Sequence, residues 1–78
     1  MMSKKEIKAA LAYYKYKMIG PSWYAKDNCV LFNAYDDSGF CHEFFINFEK
    51  KRARRQMMTT TEQSLGDIDV GYMFWEVA

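Results

Sequence analysis

His42 is the single histidine of the chain, so any histidine-based chemistry must use it. Cys41, Ser38 and Cys29 are the nucleophiles nearest to it in sequence. A base activates a nucleophile only within hydrogen-bond reach. Cys41 and His42 lie in a stretch that alternates like a strand, where adjacent side chains point to opposite faces, so the two should not meet. His42 reads as a partly buried, hydrogen-bonded residue, and no catalytic residue is expected.

A metal site needs three or four convergent ligands, and Cys29, Cys41 and His42 neither share a face nor follow zinc spacing. Gly20, Gly39, Gly66 and Gly71 are scattered and build no phosphate loop, so no cofactor is expected. The acids Asp36 and Asp37, and Asp67 with Asp69, suit turn capping better than acid-base work.

The strongest local feature is the basic run 50–55, with Lys50, Lys51, Arg52, Arg54 and Arg55. Five cations so close together could neutralise several phosphates, and Phe44, Phe45 and Phe48 lie near enough in sequence to offer stacking rings. The same run would also serve as a solvated helix or as an edge strand guarded by charge. Charge is segregated along the whole chain: residues 1–26 carry +5, 27–49 carry −5, 50–55 carry +5 and 56–78 carry −4. The net +1 speaks against a dedicated nucleic-acid binder, and the bipolar layout suits steering of a partner.

These residues are positioned chiefly by the stretch 28–49, which reads as two alternating strands around a tight turn. Asp37-Ser38-Gly39 suits a three-residue loop closed by a glycine at positive φ. That loop pairs Ala34 with His42, Phe32 with Phe44, Val30 with Ile46 and Asn28 with Phe48 on the core face. A four-residue loop would put Phe32 beside Glu43, so the alternation favours the first register. The other face carries Cys29, Leu31, Asn33 and Tyr35 against Cys41, Glu43, Phe45 and Asn47, and Met73 and Trp75 are expected to extend it. It is more apolar than a water-facing sheet normally is.

Ahead of the hairpin, Ser3 and Glu6 form a capping box, and Ile7, Leu11, Tyr14 and Met18 recur at helical spacing. This predicts an amphipathic helix over 4–19, stopped by Gly20-Pro21, with Lys17 near its C-terminal end. Residues 22–27 are a short first strand or the lead-in to the hairpin. Residues 49–57 predict a short basic helix; the rival is a long strand that starts in the basic run and ends near Glu62. Residues 64–67 read as a turn and 68–77 as a last strand, with both faces apolar from Tyr72 to Trp75.

The expected fold is thus α+β: one domain over 1–78, with an N-terminal amphipathic helix on a small antiparallel sheet of three or four strands and a second short basic helix. An apolar content of 50% in 78 residues excludes disorder. Cys29 and Cys41 stand about 20 Å apart along the hairpin, too far for a disulfide within the chain. Free thiols, no secretory leader at 1–5 and no run of roughly 20 apolar residues predict a cytoplasmic protein without a membrane span.

The function expected on these grounds is a small non-enzymatic protein-interaction module, of the type of inhibitors and adaptors made by phages and other mobile elements, including blockers of host defence complexes. Its partner would be a larger protein or nucleoprotein complex, and a homodimer is compatible. The contact residues expected are Trp23, Tyr24, Tyr35, Phe45 and Trp75 as anchors, with Lys50, Lys51, Arg52, Arg54 and Arg55 as the steering patch. The alternative is a nucleic-acid-binding module built on the same basic run.

Overall fold

A computed structural model describes residues 2–58 and 67–75. One helix, α1 (Lys4–Tyr13), packs on an antiparallel sheet of five strands: β1 (Lys17–Lys26), β2 (Cys29–Tyr35), β3 (Cys41–Asn47), β4 (Arg52–Met57) and β5 (Ile68–Asp69), in that spatial order. The α+β class is as expected, with four strands of six residues or more and a fifth of two residues where three or four strands were expected.

The capping box forms: the Ser3 hydroxyl accepts from the Glu6 amide at 3.1 Å, and the Ser3 amide donates to Glu6 Oε1 at 2.9 Å. Ile7 and Leu11 bury the helix's apolar stripe. The helix ends well before Gly20-Pro21. Lys15 takes a left-handed conformation (φ 64°), the Tyr16 amide bonds to the Leu11 carbonyl at 2.8 Å, and the Lys15 amide bonds to Ala12 at 3.0 Å. This is a Schellman cap with lysine where glycine is usual. It moves Lys17, Met18 and Ile19 from the predicted helix into β1.

Gly20-Pro21 instead lies inside β1, at a bulge. Met18 pairs with Ala34 and Trp23 with Phe32, so four residues of β1 face only Asn33. The Ser22 hydroxyl accepts the Asn33 amide at 2.9 Å and takes the place of a missing ladder carbonyl. Proline is tolerated here because β1 is an edge strand. Residues 22–27 thus belong mostly to a ten-residue strand, which turns into β2 through Asp27 and Asn28, both at positive φ, as a two-residue hairpin requires.

The central hairpin has the predicted register, from Cys29 opposite Asn47 to Tyr35 opposite Cys41. Gly39 sits at φ 86°, and the Asp36 amide bonds to the Phe40 carbonyl at 2.8 Å. Val30, Phe32, Ala34, Phe44 and Ile46 are buried on the helix-facing side. The Phe32 and Phe44 rings stack there at 5.2 Å.

The basic run forms no helix. After a turn at 48–51, with Lys51 at φ 50°, it continues as β4, which pairs along β3 from Asn47–Arg52 to His42–Met57. Lysine, arginine and alanine are good helix formers, but β3 would otherwise leave its backbone groups unpaired on that side; ladder formation overrides propensity. The rival reading, a strand begun in the run, is the closer one, and its end near Glu62 lies outside the described residues. So does most of the turn predicted at 64–67.

The last strand is also shorter than predicted. Only Ile68 and Asp69 pair with β4, and Gly71–Met73 forms a 3₁₀ turn. The Asp69 carboxylate accepts the Gly71 amide at 2.9 Å and turns the chain out of the ladder. Val70, Met73 and Phe74 then fold over the core. That explains the apolar stretch at 72–75: it caps a core rather than forming a strand covered on both faces.

Candidate docking face

His42 is 1% exposed and engaged: its Nε2 lies 2.7 Å from Asp36 Oδ2, and the Tyr16 ring packs edge-on at 5.3 Å. Asp36 also accepts the Ser38 and Phe40 amides, each at 2.9 Å. The His42 hydrogen bond first, and then the Phe40 amide, hold its carboxyl below the usual carboxylate range. An ionised carboxylate can only accept, so Nε2 carries the proton. This pair ties the hairpin loop to the core, and among the described residues the other ring nitrogen, Nδ1, is buried without a hydrogen-bond partner.

Cys41 lies on the opposite face, and burial, with the charge of Glu43, pushes its thiol up, away from the reactive thiolate. Both cysteines are free thiols. Among the described residues no three His, Cys, Asp or Glu side chains cluster as metal ligands, and no helix is long and apolar enough to cross a membrane.

The face of the sheet turned away from α1 is different. Register places Tyr24, Leu31, Phe45 and Arg54 side by side across four strands, with Lys26, Cys29, Asn47 and Arg52 in the next row. Tyr24 is 60% and Phe45 42% exposed. Tyr24, Lys26, Cys29, Leu31 and Phe45 line a shallow pit of about 110 Å³. Tyr35, opposite Cys41, is exposed further along the face. Among the described residues the core cluster and the helix lie wholly on the other side.

The residues expected to make contact divide between the two faces. Tyr24, Tyr35 and Phe45 are on the outer face, together with Arg52 and Arg54. Lys50 and Lys51 are exposed on the adjoining turn. Trp23 faces inward, stacked on Phe32 at 5.7 Å with Lys4 Nζ 5.3 Å from its ring. Trp75 packs against the core beside Phe74, and Met73 is fully buried, so neither extends the outer face. Arg55 also points inward. Its Nη1 donates to the Tyr16 hydroxyl, and its guanidinium lies 6.0 Å from that ring. Arg54 makes an exposed ion pair with Asp67 at 3.5 Å, the kind worth little to stability.

Lys26, Cys29 and Leu31 of the pit were absent from the expected contact residues, although Cys29, like Leu31, was on the predicted outer face. Lys26 follows from closing the chain at Asp27-Asn28, which sets it opposite Cys29. A broader hollow of about 350 Å³ lies on the helix side, between Met2, Glu6, Phe48, Lys51, Phe74 and Trp75, away from this cluster. Comparison of the chain with protein-family models, with curated proteins and with solved structures finds no match.

Proposed function

We propose that the chain is a small non-enzymatic interaction module of the inhibitor or adaptor type, which docks on a larger protein or nucleoprotein complex through the outer face of its sheet. The observation that carries this reading is the row Tyr24, Leu31, Phe45. A sheet face turned to water normally carries polar residues, whereas three successive cross-strand neighbours here are apolar. Contiguous apolar surface edged by polar groups is the usual mark of an interaction site. Aromatic anchors with arginines beside them are also the composition of interface centres.

Tyr24, Tyr35 and Phe45 are the anchors in this reading, and Arg52 and Arg54, with Lys50 on the turn, orient the partner, whereas Lys51 borders the helix-side hollow. A short chain with an adhesive face suits the class of phage-encoded blockers of host defence complexes, by analogy of type.

The test is capture. The protein is passed with lysate of its source cell through size-exclusion chromatography with light scattering, beside a Leu31→Glu, Phe45→Glu variant checked for folding by circular dichroism. The expected result is a co-eluting complex that the variant loses while staying folded. Capture of the same partner by the variant would remove the outer face from the reading. A bare dimer dissolved by the two substitutions would assign the face to a second copy of the chain.

A further inference from the structure

We infer that the outer face takes single-stranded nucleic acid, with bases on Tyr24 and Phe45 and phosphates on Lys26, Arg52 and Arg54; this rests on the reading of that face as the docking surface. Each exposed ring has a cation beside it on the same face. Phe45 is the register partner of Arg54, and Tyr24 precedes Lys26 by two residues along β1. Leu31 sits between the rings, which are two strand spacings apart, roughly 10 Å.

An open sheet presenting rings flanked by cations offers bases a stacking surface and the backbone a set of counter-charges. A duplex keeps its base faces stacked on one another, so the surface selects single strands. The cations are available: among the described residues no carboxylate forms an ion pair with Lys26, Lys50, Lys51 or Arg52, and the Asp67 partner of Arg54 is itself half exposed.

Carboxylates border the ring row on both sides. Asp36 and Asp37 lie at the β2–β3 loop, at the other end of the strands from Lys26 and Arg52, and Glu43 occupies the row next to Phe45 on the loop side. At the ring-bearing end Asp27 and Glu49 share the two turns with Lys50, and Asp69 is the register partner of Arg54 and lines one hollow with Arg52 and Arg54. The attraction for phosphate thus rests on the individual cations beside the rings, Lys26 at Tyr24 and Arg54 at Phe45, rather than on the net charge of the edge.

The experiment is fluorescence anisotropy with a labelled oligothymidylate of about 15 nucleotides and a duplex of the same length, titrated against salt. Single-strand binding should exceed duplex binding and fall with a log-log salt slope of about −2, as three phosphate contacts imply. Phe45→Ala should weaken it roughly 5- to 100-fold, as loss of one stacked base does. Arg52→Gln with Arg54→Gln should reduce the slope by roughly 1.4. Tyr13→Ala, 78% exposed on the helix, should change nothing.

Absence of binding at low salt, equal binding of duplex, or insensitivity to Phe45→Ala would each overturn the inference. If the oligonucleotide fails to bind while the Leu31→Glu, Phe45→Glu variant still loses its captured partner, the ligand is a protein and the docking reading stands. If capture is also unaffected, both fall together.

Discussion

At the scale of single residues, Asp36 carries the clearest pH dependence. Its carboxyl is held low in the folded chain by His42 and the loop amides. A depressed carboxylate contributes stability above its unfolded value of about 3.9, and this is lost as pH falls through the folded value beneath it. The Asp36 contribution to thermal unfolding, followed by circular dichroism, should thus be fully present above about pH 5 and should weaken below about pH 4. Asp36→Asn should flatten that acid limb. Gly71 is constrained by a neighbour: a Cβ there would meet Trp75 Nε1 at 2.7 Å. The ring would have to move, so Gly71→Ala should destabilise by about 1–3 kcal/mol in denaturant unfolding. His42 was legible as a hydrogen-bonded residue turned away from Cys41, because adjacent strand residues face opposite sides; its full burial, with Nδ1 left without a partner among the described residues, was not. Nor was its partner, because Asp36 lies outside both strands and reaches back from the loop.

At the scale of elements, the misread boundaries share a cause: a local cap or a non-local ladder that composition does not advertise. Lys15 ends α1 at positive φ, where any side chain but glycine is strained. Lys15→Gly should stabilise the protein by up to about 1 kcal/mol, and Lys15→Val should destabilise it by about 1 kcal/mol, in the same unfolding measurement. The basic run looks helical by propensity and becomes a strand because β3 supplies a partner. That pairing also splits its charges. Arg52→Glu with Arg54→Glu should shift unfolding by less than about 0.5 kcal/mol, as exposed substitutions do. Arg55→Glu should destabilise by about 2–3 kcal/mol, since it removes the Tyr16 hydrogen bond and places a carboxylate beside the core. The bulge in β1 shows how one irregularity changes a face. Met18 and Trp23 are five residues apart and both point inward, which strict alternation forbids. Trp23 was therefore unreadable as a core residue from sequence alone, whereas Tyr24 stayed on the outer face.

At the scale of the whole molecule, one side of the sheet is closed by α1 and the C-terminal turn, and the other is open among the described residues. The open side was legible because a three-residue loop with one glycine sets the parity of every residue in β2 and β3. Its flanks were not, because they depend on β1 and β4, whose pairings are set by contacts distant in sequence. The central claim, that this open face is the docking surface, is tested most directly by hydroxyl-radical footprinting with mass spectrometry of the free protein and of its captured complex. The account predicts that Tyr24, Tyr35 and Phe45 become protected in the complex while Tyr13 and Tyr72, exposed on the helix side, keep their reactivity. Protection of Tyr13 and Tyr72 with Tyr24 and Phe45 unchanged would contradict it and move the partner to the helix.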